Sequence, residues 1–384
     1  MYAYKRDFNP YSGGIMQKFY FGDGNSDVLK NILDGTGAVR YMLIHSPSLK
    51  YFNLGTYIKS EKRIACSFGD IEPNPDYATV CRATELFNGN ECDGIIAIGG
   101  GSVIDVAKTV KMFCNMPQGS NYIEEAAMPA DIPLLAIPTT AGTGSESTCF
   151  AAIYINGVKH SFNHKGIIPT HVYLDGTLLN TLPVYQKKCT MLDALCQGIE
   201  SIWSVNSTAE SVTYARKAVE IILNNMNRYI DGDNAVNREM LLAANYSGRA
   251  ICISQTTAAH AMSYKITSMF GLPHGHAVAI CLPYVWRYIA ENCDKCADSR
   301  GETYLKSVLN NISELFGAND VSEAVSSFNR ILSKYDIVSP NVSEEQIKVM
   351  VEAVNAERLK NTPVFMNGSA VYEIYRGVFG FDNY

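Results

Sequence analysis

The sequence predicts an α/β N-terminal domain with a parallel, Rossmann-like sheet, followed by an all-helical C-terminal domain. Short apolar runs of strand length occur at residues 41–45, 94–99 and 133–137, and polar segments of helical character separate them. From about residue 183 onward, turn clusters become rare and apolar residues recur at helical spacing. The chain has 384 residues, 47% of them hydrophobic, which is enough for two cores. We therefore expect domains at residues 1–182 and 183–384.

Each predicted element follows from a local pattern. The three apolar runs lack polar alternation, which is typical of parallel strands that are covered by helices on both faces. In the second half, apolar residues three and four positions apart predict amphipathic helices. These positions are Ala215, Ala218, Val219 and Ile222, then Met240, Leu241 and Ala244, and later Val308, Ile312 and Leu315.

Composition excludes several classes of function. The net charge is −6 and no Lys/Arg run occurs, so neither nucleic acid nor a membrane surface is an expected partner. No apolar stretch reaches the ~18 residues of a membrane span, and residues 1–14 lack the apolar segment of a signal peptide. Eleven irregularly spaced cysteines favour reduced thiols, and hence a cytoplasmic protein.

A glycine-rich turn follows the second apolar run. Gly99, Gly100, Gly101 and Ser102 lie between a predicted strand and a predicted helix. Glycines let the backbone approach a ligand closely, and the helix start offers free N–H donors to a phosphate. The alternative is a tight strand–helix turn in which Ser102 is the N-cap. The turn has neither the G-x-G-x-x-G nor the Walker pattern.

A second loop of small hydroxyl residues follows the third apolar run. Thr139, Thr140, Thr143 and Ser145 are interspersed with glycines at the end of this strand. Ligands bind at the carboxyl ends of the strands in open parallel sheets. Two such loops at two strand ends favour a dinucleotide that lies across the edge of the sheet.

Four residues of the helical half could form a metal site. Asp193 and Gln197 are four residues apart and share one helix face, while His260 and His274 flank a break at 271–273. Carboxylate, amide and imidazole ligands suit a catalytic divalent ion, although an amide oxygen is a weaker ligand than imidazole for zinc or iron. Three possibilities stay open. Gln197 is a ligand, or water replaces it, or no metal binds and a histidine donates a proton.

These motifs resemble, in order, those of the iron-containing (group III) alcohol dehydrogenases. The landmarks are Pro73-Asn74-Pro75, Gly99-Gly-Gly-Ser-x-x-Asp105-x-x-Lys108, Pro138-Thr-Thr-x-Gly142-Thr-Gly-Ser-Glu146, Asp193-Ala-Leu-x-x-x-Ile-Glu200 and Pro273-His-Gly275. The resemblance implies a fold with dehydroquinate synthase-like architecture. It also implies hydride transfer between NADP or NAD and a carbonyl held on a divalent metal, iron or zinc.

The resemblance assigns roles to residues by matching motif positions. Cofactor contacts are implied for Gly99, Gly100, Gly101, Ser102, Asp105, Thr139, Thr140, Thr143 and Ser145, and metal ligands for Asp193, His260 and His274. The sequence departs from the family at Gln197 and Tyr264, where the family has histidine. It also has no acid near Ser46, at the end of the 41–45 strand, so either NAD or NADP is compatible with Ser46 as a contact.

The segments around Asp193 and His260 look closest to the phosphonoacetaldehyde reductase branch of this family. That branch implies reduction of phosphonoacetaldehyde to 2-hydroxyethylphosphonate, in phosphonate biosynthesis, by a homo-oligomer, at least a dimer. An anionic substrate needs a cation, and Lys265 is the preferred candidate. Other candidates are Arg216, Lys159, His164 and His276. Tyr264 could hydrogen-bond the substrate, relay a proton, or only pack.

Three other functions remain compatible with the sequence. A general short-chain alcohol dehydrogenase would differ from a phosphonoacetaldehyde reductase by preferring neutral aldehydes. A dehydroquinate-synthase-like lyase would consume no reduced cofactor. A non-enzymatic nucleotide-binding module would show no turnover and would leave Asp193, His260 and His274 without a role.

Overall fold

The structure is a computed structural model that describes residues 6–8, 17–117, 121–122, 127–155 and 158–381. Most of residues 1–14, on which the expected absence of a signal peptide depends, lies outside these ranges. The described strands are β1 (Arg6–Phe8), β2 (Gln17–Gly22), β3 (Tyr41–His45), β4 (Ile64–Phe68), β5 (Gly94–Gly99), β6 (Leu134–Pro138), β7 (Phe150–Ile155), β8 (Val158–Asn163) and β9 (His171–Asp175).

Helices dominate the second half of the chain. The described α-helices are α1 (Ser26–Asp34), α2 (Asn53–Ser60), α3 (Tyr77–Gly89), α4 (Gly101–Phe113), α5 (Val184–Trp203), α6 (Ala209–Ile230), α7 (Asn237–Ser254), α8 (Ala258–Phe270), α9 (His274–Glu291), α10 (Glu302–Leu315), α11 (Val321–Lys334), α12 (Glu344–Ala353), α13 (Ala356–Leu359) and α14 (Gly368–Val378). Strands precede residue 176 and long helices follow it, so the predicted fold class is confirmed.

The sheet has seven strands in the order β1-β2-β9-β6-β5-β3-β4. Six of them are parallel, and β1 pairs antiparallel with β2 at one edge. The three strands expected from sequence are β3, β5 and β6, which lie side by side, with Ile98 opposite His45 on one flank and Ile137 on the other. Their carboxyl ends therefore open at the same edge of the sheet.

Alternate residues of these strands enter two different cores. Ile95 and Ala97 of β5 pack in one apolar cluster with residues of α3 and α4, such as Val80 and Val110. Ile96 and Ile98 pack in the other cluster with residues of α1 and α2. All four β5 residues have no exposed surface. Burial of both faces explains the continuous apolar runs that the sequence shows.

The chain divides into two compact units. The first contains Met1–Leu182 and Gly232–Asn245, and the second contains Pro183–Asp231 and Tyr246–Tyr384. The segment 232–245 differs from the sequence-based assignment, which places it in the helical domain. Two contacts hold it in the first unit. Asn237 donates to the side chain of Asn180 at 2.8 Å, and Arg238 covers the Phe21 ring at 4.8 Å. The functional division at 182/183 stays a prediction.

The helical unit is organised around α5 and α9. Helix α5 packs against α6 and α9, and α8 packs against α9. The indole of Trp203, at the end of α5, meets that of Trp286 on α9 edge to face at 5.8 Å. Both indoles are about 1% exposed or less. Within the described residues, no helix is both long and apolar enough to traverse a bilayer.

All eleven cysteines lie in the described part of the chain, and none of them is paired in a disulfide bond. Cys293 and Cys296 do have the C-x-x-C spacing that often marks zinc or redox sites. Their sulfur atoms have different partners, the carbonyl of Ile289 for Cys293 and that of Asp298 for Cys296. This spacing therefore forms part of a turn after α9.

Candidate functional site

Helix α5 presents three polar side chains on one buried face. Asp193, Gln197 and Glu200 are separated by four and three residues, so successive turns of the helix align them. Their residues are 3%, 4% and 0% exposed. Buried polar groups at this spacing require partners, and residues of helices α7, α8 and α9 supply them.

A glycine turn brings two histidines to this face. Helix α8 carries His260 and ends at Gly271, whose φ of 65° lies in the left-handed region that favours glycine. Pro273 then precedes α9, which begins at His274. At Gly275, an added Cβ would lie 1.9 Å from the carbonyl oxygen of Cys189 and 2.8 Å from Cβ of Asp193. Only glycine allows α9 to approach α5 this closely.

Asp193, His260 and His274 form one compact cluster, in which one ligand atom of each residue lies within 4.8 Å of the others. Nε2 of His260 is 3.4 Å from Oδ1 of Asp193, and Nε2 of His274 is 3.9 Å from the same oxygen. The buried Nε2 of His260 has no hydrogen-bond partner in the described part of the chain. One carboxylate, two imidazoles and an unsatisfied nitrogen fit a divalent cation.

Glu200 orients His260 from the opposite side. Its Oε2 binds Nδ1 of His260. Its Oε1 accepts from the Thr257 hydroxyl at 2.7 Å and from the Ala259 N–H at 3.0 Å. The Thr257 hydroxyl in turn accepts from the indole of Trp203 at 2.9 Å. A carboxylate on one ring nitrogen leaves the other nitrogen free to bind a metal.

The carboxylates also set the protonation of His260. Burial opposes its charge, but Glu200 and Asp193 outweigh this effect and raise its pKa to about 10. The His260 imidazole, which would bind the cation, therefore holds a proton when no cation is bound. A bound metal would have to displace that proton.

Gln197 lies one helical turn after Asp193. Its amide oxygen already accepts a hydrogen bond. Ser247 of α7 donates its hydroxyl to Oε1 of Gln197 at 2.5 Å. The oxygen still has a second lone pair, so ligation is compatible with this bond. The predicted role of Gln197 as a metal ligand stays a prediction.

Tyr264 and Lys265 differ in their relation to the cluster. Tyr264 lies one turn after His260, and its ring stacks on His274 at 5.6 Å with an angle of 11° between the planes. Its hydroxyl accepts a hydrogen bond from Nη1 of Arg358 at 3.0 Å. Lys265 is five residues after His260, which is about 140° around the helix axis. Its predicted contact with the substrate stays a prediction that helix geometry disfavours.

Three of the other candidate cations, His276, Arg216 and His164, have structural partners. His276 is held between the Tyr185 hydroxyl and the carbonyl of Val338, each at 2.8 Å. Burial lowers the pKa of His276, which disfavours its charged form. Arg216 lies 3.9 Å from Glu220 on the surface of α6. In the first unit, His164 accepts from the Gly166 N–H at 2.9 Å.

In the first unit, the predicted cofactor loops follow adjacent strands. Ser46 follows β3, and its N–H binds the carbonyl of Ile98 on β5 at 3.0 Å. The Ser46 hydroxyl pairs with that of Ser48 at 2.6 Å. Gly100 is the N-cap of α4, so the first N–H groups of a 13-residue helix face the sheet edge. The Ser102 hydroxyl accepts from the Asn74 N–H at 3.4 Å.

The two small-residue loops pack against each other. A Cβ at Gly101 would lie 2.8 Å from the methyl group of Thr143, and one at Gly100 would lie 3.4 Å from Thr140. Thr139 binds the carbonyl of Gly99 through its N–H at 3.0 Å. The predicted phosphate loop and the hydroxyl loop are therefore in direct contact.

Asp105 and Ser145 bind each other. The Ser145 hydroxyl donates to Oδ1 of Asp105 at 2.6 Å, and the Ala152 N–H donates to Oδ2 at 3.0 Å. Fully buried Lys108 donates to the hydroxyls of Ser145 and Thr148, each at 2.9 Å. These bonds connect α4 to the second loop and hold its shape. Direct contacts of Asp105 and Ser145 with a cofactor stay predictions.

Comparison with known proteins identifies the family. Residues 16–176 match the family model described as iron-containing alcohol dehydrogenase, and residues 188–379 match the C-terminal model of the same family. The chain belongs to the iron-containing alcohol dehydrogenase family. The predicted family resemblance is thereby confirmed.

Two relatives of this iron-containing dehydrogenase illustrate the family's range. Phosphonoacetaldehyde reductase of Streptomyces viridochromogenes is 34% identical over 61% of this chain. The matched region spans 62% of that protein's length, just under two thirds. NADPH-dependent butanol dehydrogenase of Clostridium saccharobutylicum is 30% identical over 71% of the chain and 73% of its own length.

Solved structures agree on the fold. Sulfoacetaldehyde reductase from Bifidobacterium kashiwanohense, in complex with NAD+, has a TM-score of 0.84 at 24% identity, covering 95% of this chain and 97% of its own. The iron-containing alcohol dehydrogenase of Thermotoga maritima has a TM-score of 0.79 at 26% identity, covering 94% and 97%. The dehydrogenase fold therefore extends over nearly the whole chain.

Sequence reasoning overlooked two side chains that surround the cluster. Glu200 had a usable signal, since it lies seven residues after Asp193 and thus on the same face of α5. Arg358 had none. It lies 94 residues after Tyr264, in the four-residue helix α13, and only folding brings the two together.

Proposed function

We propose that this iron-containing dehydrogenase reduces an aldehyde to the alcohol with NADPH or NADH. The observation that carries the proposal is the Asp193, His260 and His274 cluster, with its buried Nε2 directed at the Asp193 carboxylate. Relatives at 34% and 30% identity named as a reductase and a dehydrogenase support it. A bound divalent cation would polarise the aldehyde oxygen, and the nicotinamide would supply the hydride.

The protein's own residues would prepare this chemistry. Glu200 keeps Nδ1 of His260 occupied, so Nε2 can serve as a ligand. Asp193 contributes the single negative charge of the cluster, which leaves net positive charge on a divalent ion. In the first unit, Gly100, Gly101 and the start of α4 would hold the cofactor's pyrophosphate.

We propose phosphonoacetaldehyde as the substrate and 2-hydroxyethylphosphonate as the product. Similarity to the Streptomyces reductase supports this choice. Similarity to the butanol dehydrogenase favours a second candidate, a general short-chain alcohol dehydrogenase. Family membership favours either over a dehydroquinate-synthase-like lyase. A cytoplasmic location and a dimeric state accompany the proposal as predictions.

Consumption of the reduced cofactor tests the proposal directly. NADPH and NADH oxidation would be followed with phosphonoacetaldehyde, acetaldehyde and butyraldehyde, using chelator-treated enzyme with and without added iron or zinc. We expect metal-dependent oxidation, with the highest kcat/KM for phosphonoacetaldehyde. Equal or higher kcat/KM for butyraldehyde would favour the general dehydrogenase. Full activity of the metal-free enzyme would contradict the role of the cluster.

A further inference from the structure

Arg358 lies beside the metal-site cluster without taking part in it. Its Nη1 donates to the Tyr264 hydroxyl at 3.0 Å, and its guanidinium carbon is 5.1 Å from the centroid of the Tyr264 ring. That ring lies parallel to His274, 5.6 Å away. Tyr264 therefore contacts both a permanent positive charge and a residue of the cluster.

Within the described part of the chain, no carboxylate neutralises the charge of Arg358. Among the described residues, no Asp or Glu forms a salt bridge with it, and the adjacent Glu357 pairs with Lys360 at 2.6 Å. The side chain is half-buried. A guanidinium has five N–H donors, and Tyr264 accepts from only one nitrogen. Arg358 therefore retains donors for a further acceptor.

We propose that Arg358 binds the anionic group of the substrate and selects aldehydes that carry a phosphonate or sulfonate on the neighbouring carbon. This inference rests on the proposed function, since it assumes that the aldehyde oxygen is held at the Asp193, His260 and His274 cluster. The planar guanidinium fork matches two oxygens of a tetrahedral oxyanion.

Tyr264 holds Arg358 in position for this role. Its hydroxyl accepts from the guanidinium, and its ring provides an aromatic face against which the cation lies. The position of Tyr264 is in turn set by stacking on His274. Lys265, the candidate from sequence, is turned about 140° from His260 around α8 and, among the described residues, makes no side-chain contact with the cluster.

The test compares substrates across variants. Arg358→Gln removes the charge, and Arg358→Lys keeps it without the fork. Arg330→Gln is a matched control, because Arg330 is exposed on α11 and donates to Ser327 in its own helix. Steady-state kinetics would use phosphonoacetaldehyde, sulfoacetaldehyde and butyraldehyde with metal-loaded enzyme. Isothermal titration with 2-hydroxyethylphosphonate and with isethionate would measure anion binding independently of turnover.

We expect Arg358→Gln to lower kcat/KM for phosphonoacetaldehyde about 100-fold, mainly through KM, and to weaken 2-hydroxyethylphosphonate binding to a similar extent. Butyraldehyde kinetics should change less than about threefold, which also shows that the variant is folded. Arg358→Lys should lose about tenfold. A larger loss with phosphonate than with sulfonate would identify the doubly charged group as the preferred ligand, and the reverse would identify the sulfonate.

Two results would separate the possible failures. Equal losses with anionic and neutral aldehydes, or unchanged phosphonate binding by Arg358→Gln, would overturn the assignment of Arg358 and leave the proposed function intact. A wild-type enzyme that oxidises neither NADPH nor NADH with any aldehyde would contradict the proposed function. The binding titration would then test the anion-binding role of Arg358 independently of turnover.

Discussion

Glu200 holds one nitrogen of His260 while the other nitrogen lies 3.4 Å from Asp193. A buried acid thus faces one side of the imidazole, and the proposed metal site lies on the other. Metal-binding histidines commonly donate their second N–H to a carboxylate in this way. Glu200 is not one of the proposed metal ligands. We infer that it acts as a positioning residue for His260.

Replacing Glu200 should weaken metal binding. Glu200→Gln removes the charge that orients His260, and we expect a 10- to 100-fold loss of affinity for zinc or iron, the range for such partners. Competition with a fluorescent chelator would measure it. The exposed Glu210→Gln, on α6, is the matched control. Unchanged affinity in a variant with wild-type melting temperature would show that Glu200 only fills the core.

Restoring the family's histidine should strengthen metal binding. Imidazole is a better ligand than an amide oxygen for zinc and iron, so Gln197→His should raise affinity by about tenfold or more. The adjacent Ser247 hydroxyl, which now binds Gln197, could accept from the new ring. Metal content after dialysis would report the change. An affinity no higher than that of wild type would indicate that position 197 lies outside the coordination sphere.

A methyl group at Gly101 should disrupt cofactor binding. It would lie 2.8 Å from the Thr143 side chain and push the two loops apart. We expect Gly101→Ala to raise the Kd for NADPH by about tenfold or more, because the N–H groups at the start of α4 would lose their alignment. Quenching of intrinsic fluorescence would measure Kd. Gly89→Ala is the control, since its Cβ would meet no atom within 4 Å. If Gly101→Ala and Gly89→Ala changed the Kd for NADPH equally, the steric argument would be refuted.

Lys111 should make stability depend on pH. It is 2% exposed on α4, and burial lowers its pKa to about 8 against the opposing attraction of Asp131. Between pH 8 and its ordinary value of 10.5, the unfolded chain binds more protons than the folded chain. The free energy of unfolding contributed by this group therefore rises with pH across that window.

The neutral variant Lys111→Met removes this dependence. Below pH 8 we expect it to be more stable than wild type by about 1–3 kcal/mol, because no charge must be buried. The difference should vanish near pH 10.5. Urea denaturation at several pH values would measure it. A constant difference at all pH values would mean that packing, and not charge, determines the effect.

Much of the fold could be predicted from local sequence. The runs at 41–45 and 94–99 became β3 and β5 with their expected bounds, because strands buried on both faces must be continuously apolar. Apolar positions such as Ala215 and Ile222 lie buried on α6 for the corresponding reason. The segment 232–245 belongs to the first compact unit, whereas the sequence assigns it to the helical domain. Its contacts with Asn180 and Phe21 join residues far apart in the chain and leave no periodic pattern.

The sequence by itself determined the family, the class of fold and the identity of Asp193, His260 and His274 as a cluster. Motif spacing and hydrophobic period are local properties, and one chain displays them directly. Only the tertiary structure decided the surroundings of that cluster. It placed Glu200 behind His260, Ser247 on Gln197 and Arg358 over Tyr264. Such contacts depend on how helices pack, and helix packing brings together residues whose separation along the chain carries no signal.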